Sequence, residues 1–379
     1  MRFVATLVGS IAVLGVIPVV AQDDAAASEP FKLGTFQIDA GPRVGIVLQD
    51  QYVVELDRGN EALEVSSLYP TVSMPADMLE LIGQYDYGLK YRIYEIVADT
   101  LTHDRLNGEN RPAYIHDVED IRTLAPILYP GKILNAAGNF YSHVCEGCTA
   151  EEQAESDRQH RENRGIPYLF LKPSRGAVIG TGQNVVIPSG RDRIDWEVEF
   201  GTVIGRSASY ISAAEAQDYV FGYMVTIDIS DRGGRPEGGS DWFVGKGHDS
   251  FAPQGPWIVP KEFYGNPMER LHQQLTIDGV TVQDAGPGDM IHSIWELMEY
   301  ASSIITLYPG DVLNSGTSGG TSTGAFADGI RTGYLQAGEV IEATIEGIGT
   351  LRMPTVTGDP VPDGLSGSQL PPVSSYRDR

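Results

Sequence analysis

The apolar positions of this chain fall mostly into short runs of three to seven residues bounded by Gly and Pro, the pattern of strands rather than of long amphipathic helices. Phe36-Gln37-Ile38 and Val44-Gly45-Ile46-Val47-Leu48 flank a Gly41-Pro42 turn, and Met78-Leu79-Glu80-Leu81-Ile82 after Pro75-Ala76-Asp77 predicts a helix start. Pro130-Gly131 marks a boundary by its turn chemistry. Beyond it come further β-type runs: Val185-Val186-Ile187, Val198 to Ile204, Tyr223 to Ile227, Gln274 to Ile277 and Val340 to Ile345. Two helices are predicted among them. Thr149 to Arg164 is highly charged. Ser293 to Leu307 carries Ile294, Leu297, Met298, Ala301 and Ile305 on one face, and Ser293 with Glu296 forms a capping-box signal. There is no tandem repeat. The pattern predicts a mainly β (α+β) protein: a rolled or barrel-like sheet over residues 129–355, preceded by a smaller α+β unit over residues 33–128 that has no cluster of catalytic residue types.

The ends differ in character. Arg2, an apolar run from Phe3 to Val20 and small residues up to Ala21 read as a secretory signal, residues 1–21, cleaved after Ala21. A retained membrane anchor is the alternative, but the run is short for a span and contains Gly and Pro. A periplasmic or secreted location follows from cleavage, with no membrane attachment afterwards. Residues 22–32 read as a linker and 356–379 as a loose, Gly/Pro/Ser-rich tail.

Composition then narrows the partners. The 379 residues hold 27 Lys+Arg against 51 Asp+Glu, a net charge of −24, with 41% hydrophobic residues. That is a folded chain whose field repels phosphate, so nucleic acid and anionic lipid surfaces are poor partners and a small molecule is the expected one.

Four segments carry candidate chemistry. In Asp195-Trp196-Glu197-Val198-Glu199-Phe200, strand alternation puts Glu197 and Glu199 on one face, with Trp196, Val198 and Phe200 on the other. Two such carboxylates repel unless a cation lies between them, and Asp228, ending the apolar run from Tyr223, supplies a third oxygen donor. Three carboxylates with water suit Mg²⁺, Mn²⁺ or Ca²⁺. Taken alone, a Glu-x-Glu strand is more often a solvated face. His143 and Glu146, three apart, lie side by side on a helical turn, where a carboxylate fixes the imidazole tautomer and raises its basicity; in isolation this reads as a surface pair. Lys246, between Gly245 and Gly247 after two aromatics, suits a pocket that holds a carboxylate or enolate. Asn314-Ser315-Gly316-Thr317-Ser318-Gly319-Gly320 offers backbone N–H groups to an anion, but it lacks the Lys of a P-loop.

Together these segments resemble the fumarylacetoacetate hydrolase (FAH) family. The ordered motifs are Pro130-Gly131-Lys132-Ile133-Leu134, Gly138-Asn139 with His143 and Glu146, Phe170-Leu171-Lys172-Pro173, Asp195 to Glu199, and Asp228 to Arg232. They continue through Gly245-Lys246, Gln283-Asp284, Asp289-Met290-Ile291, Pro309-Gly310-Asp311, Ser315-Gly316-Thr317 and Ile345 to Leu351. The resemblance implies an FAH-like rolled β catalytic domain with a smaller N-terminal domain, a homodimer, and a bound divalent ion, Mg²⁺ first with Mn²⁺ or Ca²⁺ as alternatives. It implies Glu197, Glu199 and Asp228 as metal ligands and His143 with Glu146 as a water-activating dyad on a mobile lid. Lys246 is then the enolate stabiliser, Thr317 and Gly316 hold a substrate carboxylate, and Arg232 touches substrate. The implied reaction is hydrolysis of a carbon–carbon bond in a 1,3-dicarbonyl or acylpyruvate-type 2-oxo acid. Decarboxylase, hydratase or isomerase chemistry on the same site, and a non-catalytic periplasmic binding protein, are the alternatives. The chain departs from the family pattern at Phe140, at Asp231 and in the glycine-rich stretch 233–239, which bears on the substrate.

Cys145 and Cys148, the only cysteines, flank Glu146. A C-x-x-C pair can be a redox dithiol, part of a zinc site with His143, two free thiols, or a small disulfide ring; an oxidising compartment favours the disulfide.

Overall fold

The computed structural model describes residues 29–234 and 241–360. The predicted signal peptide, residues 22–28 of the linker, most of the tail and residues 235–240 of the glycine-rich stretch lie outside the described residues. Sheets dominate, with helices laid against them, and the expected mixed α+β, sheet-rich class is what the chain adopts.

Among the described residues the largest sheet has twelve strands, ten along one path and two, Arg122–Thr123 and Val178–Ile179, paired off it. Its path runs Ile115–Asp117, Tyr52–Glu55, Gly41–Leu48, Lys32–Ile38, Ala252–Pro260, Val220–Ile227, Val198–Ile204, Val312–Asn314, Ile133–Ala136 and Leu169–Lys172. Residues before and after Pro130 therefore share one sheet, joined where Leu33 pairs with Ile258. They also share a core. Leu33, Ile46, Leu81 and Ile93 pack with Val203, Phe221, Met224 and Ile258.

A five-stranded sheet, ordered Val280–Ala285, Gln273–Ile277, Val340–Ile345, Gly349–Thr357 and Val185–Ile187, closes over the other side. Between the two sheets lies a second core containing Trp196, Val198, Phe200, Tyr223, Leu275, Ile341 and Leu351. This explains why Val198–Ile204 and Val220–Ile227 are buried at every position: they are central strands, covered on both faces. Any polar side chain on them is forced into the interior.

The predicted helices form where their caps allow. Asp77 accepts from Glu80 N–H to start Met78–Gln84. Ala150–Glu162 and Ile294–Ile304 each begin with a reciprocal capping box, Thr149/Glu152 and Ser293/Glu296. The first of these two helices buries no residue, whereas the second buries Ile294, Leu297, Met298 and Ala301. Among the described residues no helix is long and apolar enough to cross a membrane.

Candidate metal centre and its histidine dyad

Strand register builds the acidic centre. Val198 faces Ile227 in an antiparallel pair, and Asp228 N–H donates to Glu197 C=O (2.8 Å). Glu197 and Asp228 therefore stand opposite each other just past the paired ends, with side chains on one face, and Glu199 joins them two residues along. The three carboxylates are buried, and each places an oxygen within 4.8 Å of the others.

Cationic side chains crowd two of the three. Lys246, at the end of the helix Trp242–Lys246, donates from Nζ to Glu197 Oε2 (2.8 Å), Asp228 Oδ2 (2.6 Å) and Ser230 Oγ (2.6 Å). Lys172 donates to Asp228 Oδ1 and to Ile229 C=O (2.9 Å). Arg232 donates to Glu197 Oε1 and, at 3.0 Å, to Asp195 Oδ2. Glu199 has no cationic partner among the described residues. It accepts only from Asn135 Nδ2 and Gly316 N–H, both at 3.2 Å.

The electrostatics follow this asymmetry. Burial pushes the Glu197 carboxyl up, but Lys246, Arg232 and His143 outweigh it and hold the group down at about 2. Glu199 rises well above the carboxylate range, because burial and the charges of Asp228 and Glu197 all oppose its ionisation. Burial lowers Lys172. Burial also acts to lower Lys246, but Asp228 and Glu197 outweigh it and leave the ammonium raised. A buried carboxylate with no cation on it is stable either protonated or beside a metal ion. All-oxygen donors fit a hard divalent ion, so the residues present fit the group that the sequence motifs imply.

His143 Nδ1 lies 2.8 Å from Glu146 Oε2, on the short helix Tyr141–Val144 and the turn after it. Burial lowers the imidazole's pKa, but the hydrogen bond to Glu146 and the charges of Glu197 and Glu146 outweigh burial and leave it raised. Cys145 and Cys148 form a disulfide that closes this turn.

Gly316 and Thr317, the expected substrate clamp, lie against the strand of the acidic centre. The Thr317 hydroxyl donates to Val198 C=O (2.8 Å) and accepts from Gln283 Nε2 (2.8 Å), while the Gly316 N–H is turned to Glu199. Both are committed to the strand that carries the acidic centre. Glycine is required at 316: its φ is +79° and a Cβ there would stand 2.8 Å from Ala136 C=O.

The structure thus gathers His143, Glu146, Glu197, Glu199, Asp228, Arg232 and Lys246 at one place. It adds Lys172 and Asp195, which the sequence offered only as parts of motifs, and Thr321, which it did not offer at all. Lys172 ends an apolar Leu-Phe-Leu run, so its own signal was a charged residue in a position that reads as buried.

A buried carboxylate cluster that could hold a divalent ion, with a His–Glu pair beside it, lies in a sheet-rich α+β fold. The chain belongs to the fumarylacetoacetate hydrolase family: residues 132–356 match the family model "Fumarylacetoacetate (FAA) hydrolase C-terminal". A 2,4-didehydro-3-deoxy-L-rhamnonate hydrolase of Sphingomonas sp. (strain SKA58) is 39% identical over 186 residues, which is 49% of this chain and 64% of the relative. The match thus spans just under two thirds of that relative's length. Among solved structures, maleylpyruvate hydrolase from Sphingobium sp. SYK-6 in complex with manganese (II) ion and pyruvate aligns with a TM-score of 0.63 at 22% identity, covering 86% of this chain and 100% of that one. The 5-carboxymethyl-2-hydroxymuconate delta-isomerase from Mycobacterium smegmatis aligns with a TM-score of 0.59 at 24% identity, covering 87% and 100%. At these identities the two structures establish the fold. The relatives and structural neighbours named here are hydrolases and an isomerase.

Proposed function

We propose that this protein is a divalent-cation-dependent hydrolase that cleaves the carbon–carbon bond of an acylpyruvate-type 2-oxo acid. The observation that carries the reading is the His143–Glu146 pair, 2.8 Å apart, set beside a buried acidic triad. A protein that only bound its ligand would need no such pair.

Glu197, Glu199 and Asp228 would hold the cation, with Mg²⁺ the first choice and Mn²⁺ next; the manganese in the maleylpyruvate hydrolase structure supports a divalent ion. When bound, the ion supplies Lewis-acid polarisation of the substrate's oxo oxygens. The rest is the chain's own work. Glu146 holds His143 through Nδ1, leaving Nε2 to take a proton from water. The resulting hydroxide adds to the distal carbonyl carbon. The bond between that carbon and the methylene carbon then breaks, and its electron pair leaves as the pyruvate enolate. The Lys246 ammonium balances the enolate charge, and His143 returns its proton to the enolate carbon. The net change is acylpyruvate plus water to a carboxylate, a proton and pyruvate. Arg232, which pairs with Asp195 and Glu197, would turn its guanidinium to the substrate carboxylate.

Purified enzyme with Mg²⁺ or Mn²⁺ is expected to release pyruvate from acetylpyruvate, and EDTA is expected to stop it. Pyruvate from oxaloacetate with no turnover of any acylpyruvate would replace hydrolysis with decarboxylation.

We further propose that the mature enzyme begins after Ala21, consists of a 33–128 unit joined through a shared sheet and core to a 129–355 catalytic unit, and works outside the cytoplasm as a homodimer. The Cys145–Cys148 disulfide supports an oxidising compartment. N-terminal sequencing of a periplasmic extract and light scattering of the product test these points.

A further inference from the structure

The Glu146 carboxylate is gripped from outside its own loop. Its Oε1 accepts the backbone N–H groups of Gly320 (2.5 Å) and Thr321 (3.0 Å). Its Oε2 accepts the Thr321 hydroxyl (2.5 Å) on the same oxygen that faces His143 Nδ1 (2.8 Å). Room for this exists because two residues are glycine. A Cβ at Gly324 would stand 2.4 Å from Glu146 Oε1, and one at Gly320, with φ +97°, would stand 1.8 Å from Val282 C=O. Thr321 directly precedes the helix Ser322–Ala327, yet its side chain makes no capping bond to that helix. The hydroxyl points to Glu146 instead.

The same turn is tied to the metal segment. Ser322 N–H donates to Asp195 Oδ1 (2.9 Å), and the Trp196 indole N–H donates to Gly320 C=O (3.0 Å). Asp195 and Trp196 immediately precede Glu197, so residues 320–322 link the dyad loop to the acidic centre.

We propose that Thr321 is a positioning residue of the reaction: with the Gly320 N–H and the clearance at Gly324, it fixes the Glu146 carboxylate against His143 Nδ1. The inference rests on the dyad reading above. Hydrogen bonds to an ionised carboxylate are about twice as strong as neutral ones, so three donors converging on Glu146 define its orientation. The nitrogen bonded to that carboxylate sets which imidazole nitrogen remains to accept a proton. The charged groups facing His143 are Glu146, Glu197 and Arg232. Thr321 touches only the first of them, so its effect runs through Glu146.

The test compares Thr321→Val, which keeps the shape and removes the donor, with Thr321→Ser, which keeps the donor. Imidazole ¹⁵N NMR of His143 reads the tautomer directly and needs no substrate. Wild type and Thr321→Ser are expected to hold neutral His143 with its proton on Nδ1, and Thr321→Val to give a mixture of tautomers. With acetylpyruvate and Mn²⁺, Thr321→Val is expected to lower kcat roughly 10-fold, as loss of an orienting outer partner does, with KM and Mn²⁺ affinity unchanged. Gly324→Ala, whose methyl displaces the carboxylate, is expected to act in the same direction and serves if Thr321→Val does not fold. A Thr321→Val imidazole spectrum identical to wild type overturns the role of Thr321, as does a kcat loss that Thr321→Ser shares fully. Glu146→Gln run in parallel separates the two readings. If it too leaves the His143 spectrum unchanged, the dyad itself is refuted; if it alone changes the spectrum, only the role of Thr321 is.

Discussion

Glu199 is the residue on which the cation reading turns, because it is as buried as its two neighbours and has none of their lysine or arginine contacts. Removing its charge takes away the strongest reason for an ion to enter. Glu199→Gln is expected to weaken Mn²⁺ binding at least tenfold by calorimetry and to abolish pyruvate release, while the metal-free protein melts no lower than wild type. Tight Mn²⁺ binding by that variant would place the ion elsewhere. At His143 the sign of the pH effect is fixed by its partners. The hydrogen bond and charge of Glu146 help raise its pKa, and the base acts only when neutral, so activity is lost as pH falls through a value raised from that of a free histidine. Glu146→Gln removes the carboxylate's charge, so the acid limb of the kcat/KM profile is expected to move to lower pH even as kcat falls. A limb that stays in place would separate His143 from the rate. Alanine at His143 is expected to cost about 10²–10⁴-fold in kcat, the usual worth of a positioned general base, with Mn²⁺ affinity retained.

At the scale of elements, two helices share one capping device and differ in what they bury. Ile294–Ile304 packs its apolar stripe into the core, so its cap contributes to global stability. Ser293→Ala is expected to cost about 1 kcal/mol in denaturant unfolding. Ala150–Glu162 buries nothing, and its ion pairs, such as Arg158 with Glu155 and Glu162, are solvent-exposed. Thr149→Ala is therefore expected to leave the global midpoint unchanged and to speed amide exchange only within residues 150–162. Equal losses of global stability in the two variants would mean that the charged helix is integral to the fold. The strands behave oppositely. Val198–Ile204 is fixed by both of its neighbours in the sheet, which is why the carboxylates beside it keep their places despite mutual repulsion.

For the molecule as a whole, ion binding and folding are linked. A ligand at a hundred times its Kd stabilises the native state by about 2.7 kcal/mol, so saturating Mn²⁺ is expected to raise Tm by several degrees and EDTA to reverse it. The disulfide acts on a smaller scale. Cys145 and Cys148 are three apart, so the ring adds little loop entropy, and its effect is confined to the turn that carries Glu146. Reduction by a thiol is expected to change turnover and amide exchange over residues 141–148 more than Tm.

Much of this was legible in the chain itself because it rests on local rules. Alternation puts Glu197 and Glu199 on one face, i to i+3 spacing puts His143 beside Glu146, and Ser293 followed by Glu296 announces the capping box of the buried helix. Each depends on backbone geometry within a few residues, which sequence encodes directly. The ordered motifs from Pro130 to Leu351 carried the family for the same reason: they are positions along one chain. What the tertiary structure alone decided are the relations between distant segments. Leu33 pairs with Ile258, so residues before and after Pro130 share a sheet. Lys172 reaches Asp228 across 56 positions, and Thr321 reaches Glu146 across 175. Thr317, whose Gly-rich setting suggested an anion cradle, is turned to the backbone of Val198. A hydroxyl or an ammonium takes whichever partner the packed sheets bring within about 3 Å, and no local spacing specifies that partner.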